Sequence, residues 1–255
     1  MGVVPEALGP LVADPDRAGL FVDYDGTLSE IVDDPAAARP RAGAAEALDA
    51  LASRYGRVAV LSGRPVDFLA PWFGPDVMVS GLYGLETIVR GRRLDHPLGG
   101  VWREVVDDVA LQSASRGPEG MRVEAKGLSL TLHYRGRPER EPEVRAWAEQ
   151  QAARSGLELR SARASYELHP PLDVDKGTSL LELADDLGAV CFMGDDVGDL
   201  PAFDALDELA TRGVTCVRVG VRSAEVADEL LRRSDVVVDG PAGVVGLLQD
   251  LLAAS

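Results

Sequence analysis

Lysine is nearly absent from this chain of 255 residues: only Lys126 and Lys176 stand among 26 cationic side chains, the other 24 being arginine. Arginine and lysine differ where a compact ammonium must fit, so both positions are candidates for specific work, with chance survival as the bland alternative. Cysteine is equally scarce. Cys191 and Cys216 cannot make a disulfide scaffold, suit a reducing compartment, and sit in apolar runs (AVCFM, GVTCVRV) that read as buried strands. Positive charge is in deficit, with a formal net charge of −16. That balance argues against a nucleic-acid or anionic-membrane partner, since both need a cationic face. An anionic substrate would need a local cation to offset the acidic field. No segment reaches the roughly 18 uninterrupted apolar residues of a membrane helix, and MGVVPEALGP lacks the basic start and apolar stretch of a secretion signal. A cytoplasmic protein is expected, and a monomer. The remaining composition, 46% hydrophobic and 27% charged, is that of an ordinary globular protein, long enough for one large domain or two smaller ones.

The two ends of the chain alternate strand and helix signals. GLFVD (19–23), RVAVLS (57–62) and DVMVSG (76–81) read as strands, residues 41–53 as an amphipathic helix, and TIVRGRRL (87–94) as a hairpin. In the last ninety residues TSLLELADDLG (178–188) reads as a helix closed by Gly188. AVCFMG (189–194), VTCVRV (214–219) and DVVVD (235–239) read as strands, with helices near 200–210, 223–232 and 241–253. Such alternation predicts an α/β protein whose core is a Rossmann-like, mostly parallel sheet with helices on both faces. Sheets of that kind bind ligands at the carboxyl ends of their strands.

The middle of the chain has a different period. In LSLTLHYR (128–135), Leu128, Leu130, Leu132 and Tyr134 take one face and Ser129, Thr131, His133 and Arg135 the other. In MRVEAK (121–126) Arg122, Glu124 and Lys126 oppose Met121, Val123 and Ala125, and in SYELH (165–169) Ser165, Glu167 and His169 oppose Tyr166 and Leu168. Strict alternation predicts a half-buried, antiparallel sheet, its apolar face covered by helices near 101–114 and 140–154. A small α/β domain over 99–167 is thus expected inside a core made of 1–98 and 168–255. The three tryptophans (72, 102 and 147) read as helical core residues, and His96 and His169, beside prolines, as turn residues.

The sharpest chemical signal is FVDYDGTL (21–28), where an apolar strand delivers Asp23 and Asp25 before a glycine turn. Residues i and i+2 of an extended chain point the same way, and two carboxylates that close need a cation or a shared proton. A capped turn is the alternative. MGDDVGD (193–199) adds Asp195, Asp196 and Asp199 after a second apolar strand, and oxygen-rich clusters of this kind favour Mg²⁺, which also accepts substrate phosphate. LSGRP (61–65) offers Ser62 and backbone N–H groups at a helix start, and VDKGTS (174–179) sets Lys176 before another. Arg64 reads either as a brace for the acidic cluster or as a substrate contact. Gly84 and Glu86 of GLYGLE are candidates to line the cleft.

In the order strand–DxDGT, strand–LSG, Lys, strand–GDDxxxD, the chain resembles the haloacid-dehalogenase-like phosphohydrolases over nearly its whole length. The resemblance implies Asp23 as the nucleophile that becomes an aspartyl-phosphate. It implies Asp25 as the acid that protonates the leaving oxygen and then activates water. Ser62 and Lys176 would hold the phosphoryl oxygens. Mg²⁺ would sit on Asp23, the backbone carbonyl of Asp25, and Asp195, supported by Asp196 or Asp199. Asp25 must bind a proton near neutrality, and acidic surroundings are expected around it.

Three longer strings, VEAKGLSLTLHYR (123–135), GLYGLE (81–86) and SYELHPPLDVDKGTSL (165–180), resemble the trehalose-6-phosphate phosphatases within that superfamily. The resemblance maps sugar contacts onto Glu124, Lys126 and Glu167, with His133 a further candidate, and implies a sugar-phosphate substrate. The chain departs from the family at His169-Pro170-Pro171, where many relatives have arginine-proline, and at Val197-Gly198 before the last aspartate. Phosphatases acting on sucrose phosphate or mannosyl phosphoglycerate, and more distantly a phosphosugar mutase, are the competing readings.

Overall fold

The computed structural model describes residues 3–32, 34–162, 164–223 and 228–255. The chain divides into two compact units, Met1–Leu94 with Val174–Ser255, and Asp95–Asp173. The N-terminal part of the first unit holds α1 (Gly9–Ala13), β1 (Ala18–Asp23), α2 (Ala44–Ala52), β2 (Arg57–Leu61), the single turn α3 (Val66–Leu69), β3 (Met78–Gly81), β4 (Glu86–Val89) and β5 (Arg92–Asp95). The second unit holds α4 (Gly99–Arg116), β6 (Arg122–Ala125), β7 (Leu130–His133), α5 (Glu141–Ser155), β8 (Glu158–Ala162) and β9 (Ser165–His169). The chain then returns to the first unit through α6 (Lys176–Leu183), β10 (Ala189–Gly194), α7 (Leu200–Thr211), β11 (Thr215–Arg222), α8 (Asp228–Arg233), β12 (Val236–Asp239) and α9 (Gly240–Ala254).

The larger sheet runs in the order β12-β11-β10-β1-β2-β3-β4-β5. It is parallel from β12 to β3, and β4 joins antiparallel. Every residue of β1 and β10 is buried, which is why both segments read as unbroken apolar runs rather than as alternating ones. One face packs Leu20, Val22 and Met193 against Leu48, Leu51, Leu248 and Leu251 of α2 and α9. The other packs Phe21 and Phe192 against Leu180, Phe203 and Leu206 of α6 and α7. From β1 the chain steps one way to β2 and, after the insertion, the other way to β10. The carboxyl ends of β1 and β10 therefore flank a topological switch, where such sheets leave a crevice.

In the smaller unit the order is β6-β7-β9-β8, antiparallel throughout. Leu130, Leu132, Tyr166 and Leu168 pack on Val106 and Val109 of α4 and on Val144 and Ala148 of α5. Among the described residues, no helix is long and apolar enough to cross a membrane.

Several expectations need correction. β8 is a strand the sequence did not announce, because ELRSA carries too few apolar residues to show a period. α6 ends at Leu183 rather than at Gly188. The left-handed position after it falls to Asp186 (φ 65°), while Gly188 donates its N–H to Arg17 O at the entrance of β10. His169 is no turn residue. It is buried and pairs with Glu158, so 168–169 stay with the small sheet rather than with the core. Trp102 and Trp147 pack against the smaller core, whereas Trp72 is half-exposed in a one-turn helix under the Arg39 guanidinium. The helix expected near 223–232 begins its described part at Asp228, and 224–227 lie outside the described residues.

Candidate active site

Asp23 is the last residue of β1, in register with Leu61 of β2, and Val22 is in register with Met193 of β10. Asp195 follows β10 by one residue, so the two carboxylates leave neighbouring strand ends. The chain then closes a single turn, Val197–Asp199, that brings Asp199 back beneath the loop. Asp199 Oδ2 accepts the N–H groups of Asp195 (2.8 Å) and Asp196 (3.1 Å). Carboxylate oxygens of Asp23, Asp195 and Asp199 all lie within 4.8 Å of one another, and all three residues are buried.

Lys176 enters this cluster from the first position of α6, whose start is set by a reciprocal cap between Asp175 and Thr178. Its Nζ donates to Asp23 Oδ1 and to Asp199 Oδ1, each at 2.6 Å. Two glycines make room for the acids. At Gly26 (φ +82°) an added Cβ would lie 2.1 Å from Asp195 Oδ2, and at Gly194 it would lie 2.4 Å from the Asp199 carboxylate. Any side chain at either place would occupy the volume of a site oxygen.

The electrostatics are unbalanced. Burial pushes Asp23 well above the usual carboxylate range; Lys176 opposes this, and Asp199 and Asp195 add to it. Burial, with Asp199 and Asp196, raises Asp195 to about 7. Asp199 is also raised by burial, against the pull of Lys176. For Lys176 burial alone would lower the value, but Asp199 and Asp23 outweigh it and hold the ammonium charged. Three buried carboxylates thus face one cation, an arrangement that needs protons or a further positive charge. Asp195 supplies the clearest sign of which. Its Oδ1 accepts from Thr27 at 3.3 Å and Ser223 adds a smaller hydrogen-bonding pull on the carboxyl, but among the described residues its Oδ2 is buried with no hydrogen-bond partner. An all-oxygen set with an orphaned carboxylate oxygen is the donor chemistry of a hard divalent cation, and Mg²⁺ fits it.

The remaining expected residues are distributed differently. Asp196 is exposed, and its side chain is not part of the buried trio. The Asp25 carboxylate also lies outside that trio. Instead of acidic surroundings it meets Arg64, whose Nε and Nη2 reach Asp25 Oδ2 and Oδ1 at 2.6 and 2.7 Å. Ser62 is buried just after β2, where its Oγ accepts the Arg64 N–H at 3.1 Å and its own N–H bonds Ser80 O. Glu86 does not line a cleft: it is buried, accepting from Val66 N–H and Arg93. Gly84 (φ +106°) backs onto Ser179 of α6.

In the smaller unit, register places Glu124, Thr131, Glu167 and Arg160 in one row across β6, β7, β9 and β8. Glu124 Oε2 lies 2.7 Å from His133 Nε2, and that hydrogen bond is the main reason its carboxyl is held below the usual range. Glu167 accepts from Ser129 at 3.0 Å and has Lys126 Nζ at 3.6 Å. Thr131 Oγ1 is buried with no hydrogen-bond partner among the described residues. Sequence reasoning missed Thr27, although it lies inside the DxDGT string. Thr131 was placed on the polar face by parity, but nothing in the sequence distinguished it from a solvated position. Arg160 lay on the unannounced strand.

A sequence profile described as trehalose-phosphatase matches residues 21–232. A trehalose-phosphate phosphatase of Mycobacterium ulcerans is 35% identical over 245 residues, covering 89% of this chain and 61% of its own length. The chain thus spans about three fifths of the length of that curated relative. The C-terminal domain of a Candida albicans trehalose-6-phosphate phosphatase superposes with a TM-score of 0.74 at 25% identity, covering 99% of this chain and 98% of the domain. A trehalose-6-phosphate phosphatase related protein gives 0.75 at 21% identity, over 92% of this chain and 97% of that one, and supports the fold alone. A profile matched across most of the chain, spanning the strand ends at Asp23 and Asp195 and the helix start at Lys176, shows that this chain belongs to the trehalose-phosphatase family.

Proposed function

We propose that this chain is a Mg²⁺-dependent phosphatase that hydrolyses trehalose 6-phosphate to trehalose and inorganic phosphate. The observation that carries the reading is the buried group of Asp23, Asp195 and Asp199 around Lys176, with one Asp195 oxygen left unpartnered among the described residues. Family membership and relatives named trehalose-phosphate phosphatase support the choice of substrate.

In the first half-reaction Asp23 attacks phosphorus. An Asp23 oxygen–phosphorus bond forms, the phosphorus–sugar oxygen bond breaks, and the departing oxygen takes a proton from the Asp25 carboxyl. In the second half the Asp25 carboxylate takes a proton from water as the water oxygen attacks phosphorus. The Asp23 oxygen–phosphorus bond breaks, phosphate leaves, and both aspartates return to their starting states. Dividing the displacement in two lowers each barrier. Lys176, charged and fixed between Asp23 and Asp199, orients the nucleophile and offsets charge on the transferring group. The Ser62 hydroxyl is an additional donor for a phosphoryl oxygen. Asp23, Asp195 and Asp199 would hold the divalent ion, which supplies the positive charge that a dianionic ester and three carboxylates require.

The polar row of the second unit is assigned to the sugar. Glu124 and Glu167 offer acceptors on a rigid sheet, and Lys126, one residue beyond β6, offers donors, a pattern suited to many hydroxyl groups. Cys191 and Cys216 are free thiols that pack in separate cores on opposite faces of the large sheet, which supports a reducing, cytoplasmic setting. The deciding experiment is phosphate release across a panel of phosphorylated mono- and disaccharides, with Mg²⁺ and with chelator. Trehalose 6-phosphate should give the highest kcat/KM, and chelator should abolish it reversibly. A faster sucrose phosphate or monosaccharide phosphate, or indifference to chelator, would overturn the reading.

A further inference from the structure

Arg64 has two possible duties at a phosphatase site, gripping the substrate or holding another residue. We infer that Arg64 is the positioning residue of Asp25, a fixed clamp that aims the acid and leaves substrate binding to other groups; the inference rests on the proposed phosphatase reading.

The geometry is that of a clamp. Nε and Nη2 grip the two oxygens of Asp25 at 2.6 and 2.7 Å, the parallel fork that only a guanidinium makes. Nη1 donates to Pro35 O at 2.7 Å. The plane is stacked as well, with its central carbon 4.3 Å from the Phe68 ring centroid and 5.6 Å from that of Tyr24. The Arg64 backbone is held by the Ser62 hydroxyl on one side and by the Leu82 N–H on the other. A guanidinium so occupied has little of its surface left for a ligand; the side chain is 16% exposed.

Asp25 is the complement. Its backbone is set by a bridge to Ser29, with Gly26 N–H on Ser29 O at 2.8 Å, and its side chain is 41% exposed. A carboxylate has about four lone-pair sites. The fork uses two, so the outer pair stays free to exchange a proton with a leaving oxygen or a water. A flexible aspartate on a turn would sample several rotamers, and misplacing a reacting group by about 1 Å can cost on the order of a hundredfold in rate. Locking both carboxylate oxygens removes that freedom before substrate arrives.

The test compares Arg64→Met, Arg64→Lys, Arg64→Ala, Asp25→Asn and the double variants Arg64→Met/Asp25→Asn and Arg64→Ala/Asp25→Asn, on trehalose 6-phosphate and on p-nitrophenyl phosphate. Arg64→Met should lower kcat roughly 10- to 100-fold with KM within about twofold. Arg64→Lys should recover only a small part of that, because an ammonium cannot make the fork. In the Asp25→Asn background the Arg64 substitution should cost almost nothing more. Guanidinium ion at millimolar concentration should restore part of the kcat of Arg64→Ala, but none in Arg64→Ala/Asp25→Asn. A raised KM with unchanged kcat, or losses that multiply in the double variant, would overturn the clamp. If the wild-type protein hydrolyses neither ester, the functional reading fails. The clamp is then read directly from a crystal structure of Arg64→Lys or Arg64→Met, where an unmoved, well-ordered Asp25 carboxylate would refute it.

Discussion

The two units both bury acids, and they settle the charge in opposite ways. In the large unit Asp23, Asp195 and Asp199 share one ammonium, leaving negative charge in excess. In the small unit Glu124 pairs with His133, and Glu167 with Lys126 and Ser129, so each acid has its own partner. An excess of buried charge calls for a cation from outside the chain. A balanced polar row calls for nothing so strong and suits neutral hydroxyl groups. On the proposed reading, the same side-chain chemistry serves a metal and a phosphoryl dianion in the large unit and a sugar in the small one.

The contrast is broken most severely at Asp23. Asp23→Asn should lower kcat by at least ~10⁴-fold, while circular dichroism and the unfolding temperature show an intact fold. Retention of near-native turnover would refute the nucleophile. Lys126→Ala comes next. It should raise KM for trehalose 6-phosphate by roughly 10- to 100-fold, about the 1.5–3 kcal/mol of a hydrogen bond to a charged group, and spare p-nitrophenyl phosphate. Equal losses on both esters would remove the small unit from sugar recognition. Thr131→Val should have a smaller effect in the same assay, a few-fold in KM, since it deletes one neutral donor.

Stability sharpens the same comparison. Asp195→Asn relieves like-charge crowding, so without divalent ion it should unfold a few °C above the wild type. Mg²⁺ should raise the wild-type midpoint and leave the variant almost unmoved. The metal-free pH dependence has a defined sign. Asp195 is raised to about 7 from an ordinary value near 3.8, so between those values the folded state binds more protons than the unfolded one. Stability should fall as pH rises through that window. Titrating the urea midpoint from pH 5 to 8 in wild type and Asp195→Asn isolates the effect. A difference that grows in the other direction would contradict the charge excess.

Much of this was legible in the residues. β1 and β10 are short, uniformly apolar and followed by acids, and burial on both faces of a parallel sheet imposes that pattern. Parity placed Glu124, Lys126 and Glu167 on one face, because a strand's period of two leaves no other choice. What escaped depended on neighbours distant in sequence. β8 has no apolar period of its own and is a strand because β9 supplies its partners. The end of α6 is set by a left-handed Asp186 where Gly188 was the natural candidate. Asp25 was expected among acids, and nothing local to FVDYDGTL indicates that a guanidinium 39 residues away takes both its oxygens.

By itself the sequence determined which chemistry was possible: buried strands that end in aspartates, a lysine kept where arginine is the rule, and a polar sheet face. These follow from periodicity and composition, which are local properties. Only the tertiary structure decided which acid keeps which company. It gathered Asp199 into the buried cluster, left Asp196 outside, and gave Asp25 to Arg64. Pairing energies between charges depend on separation and burial, and chain distance carries neither.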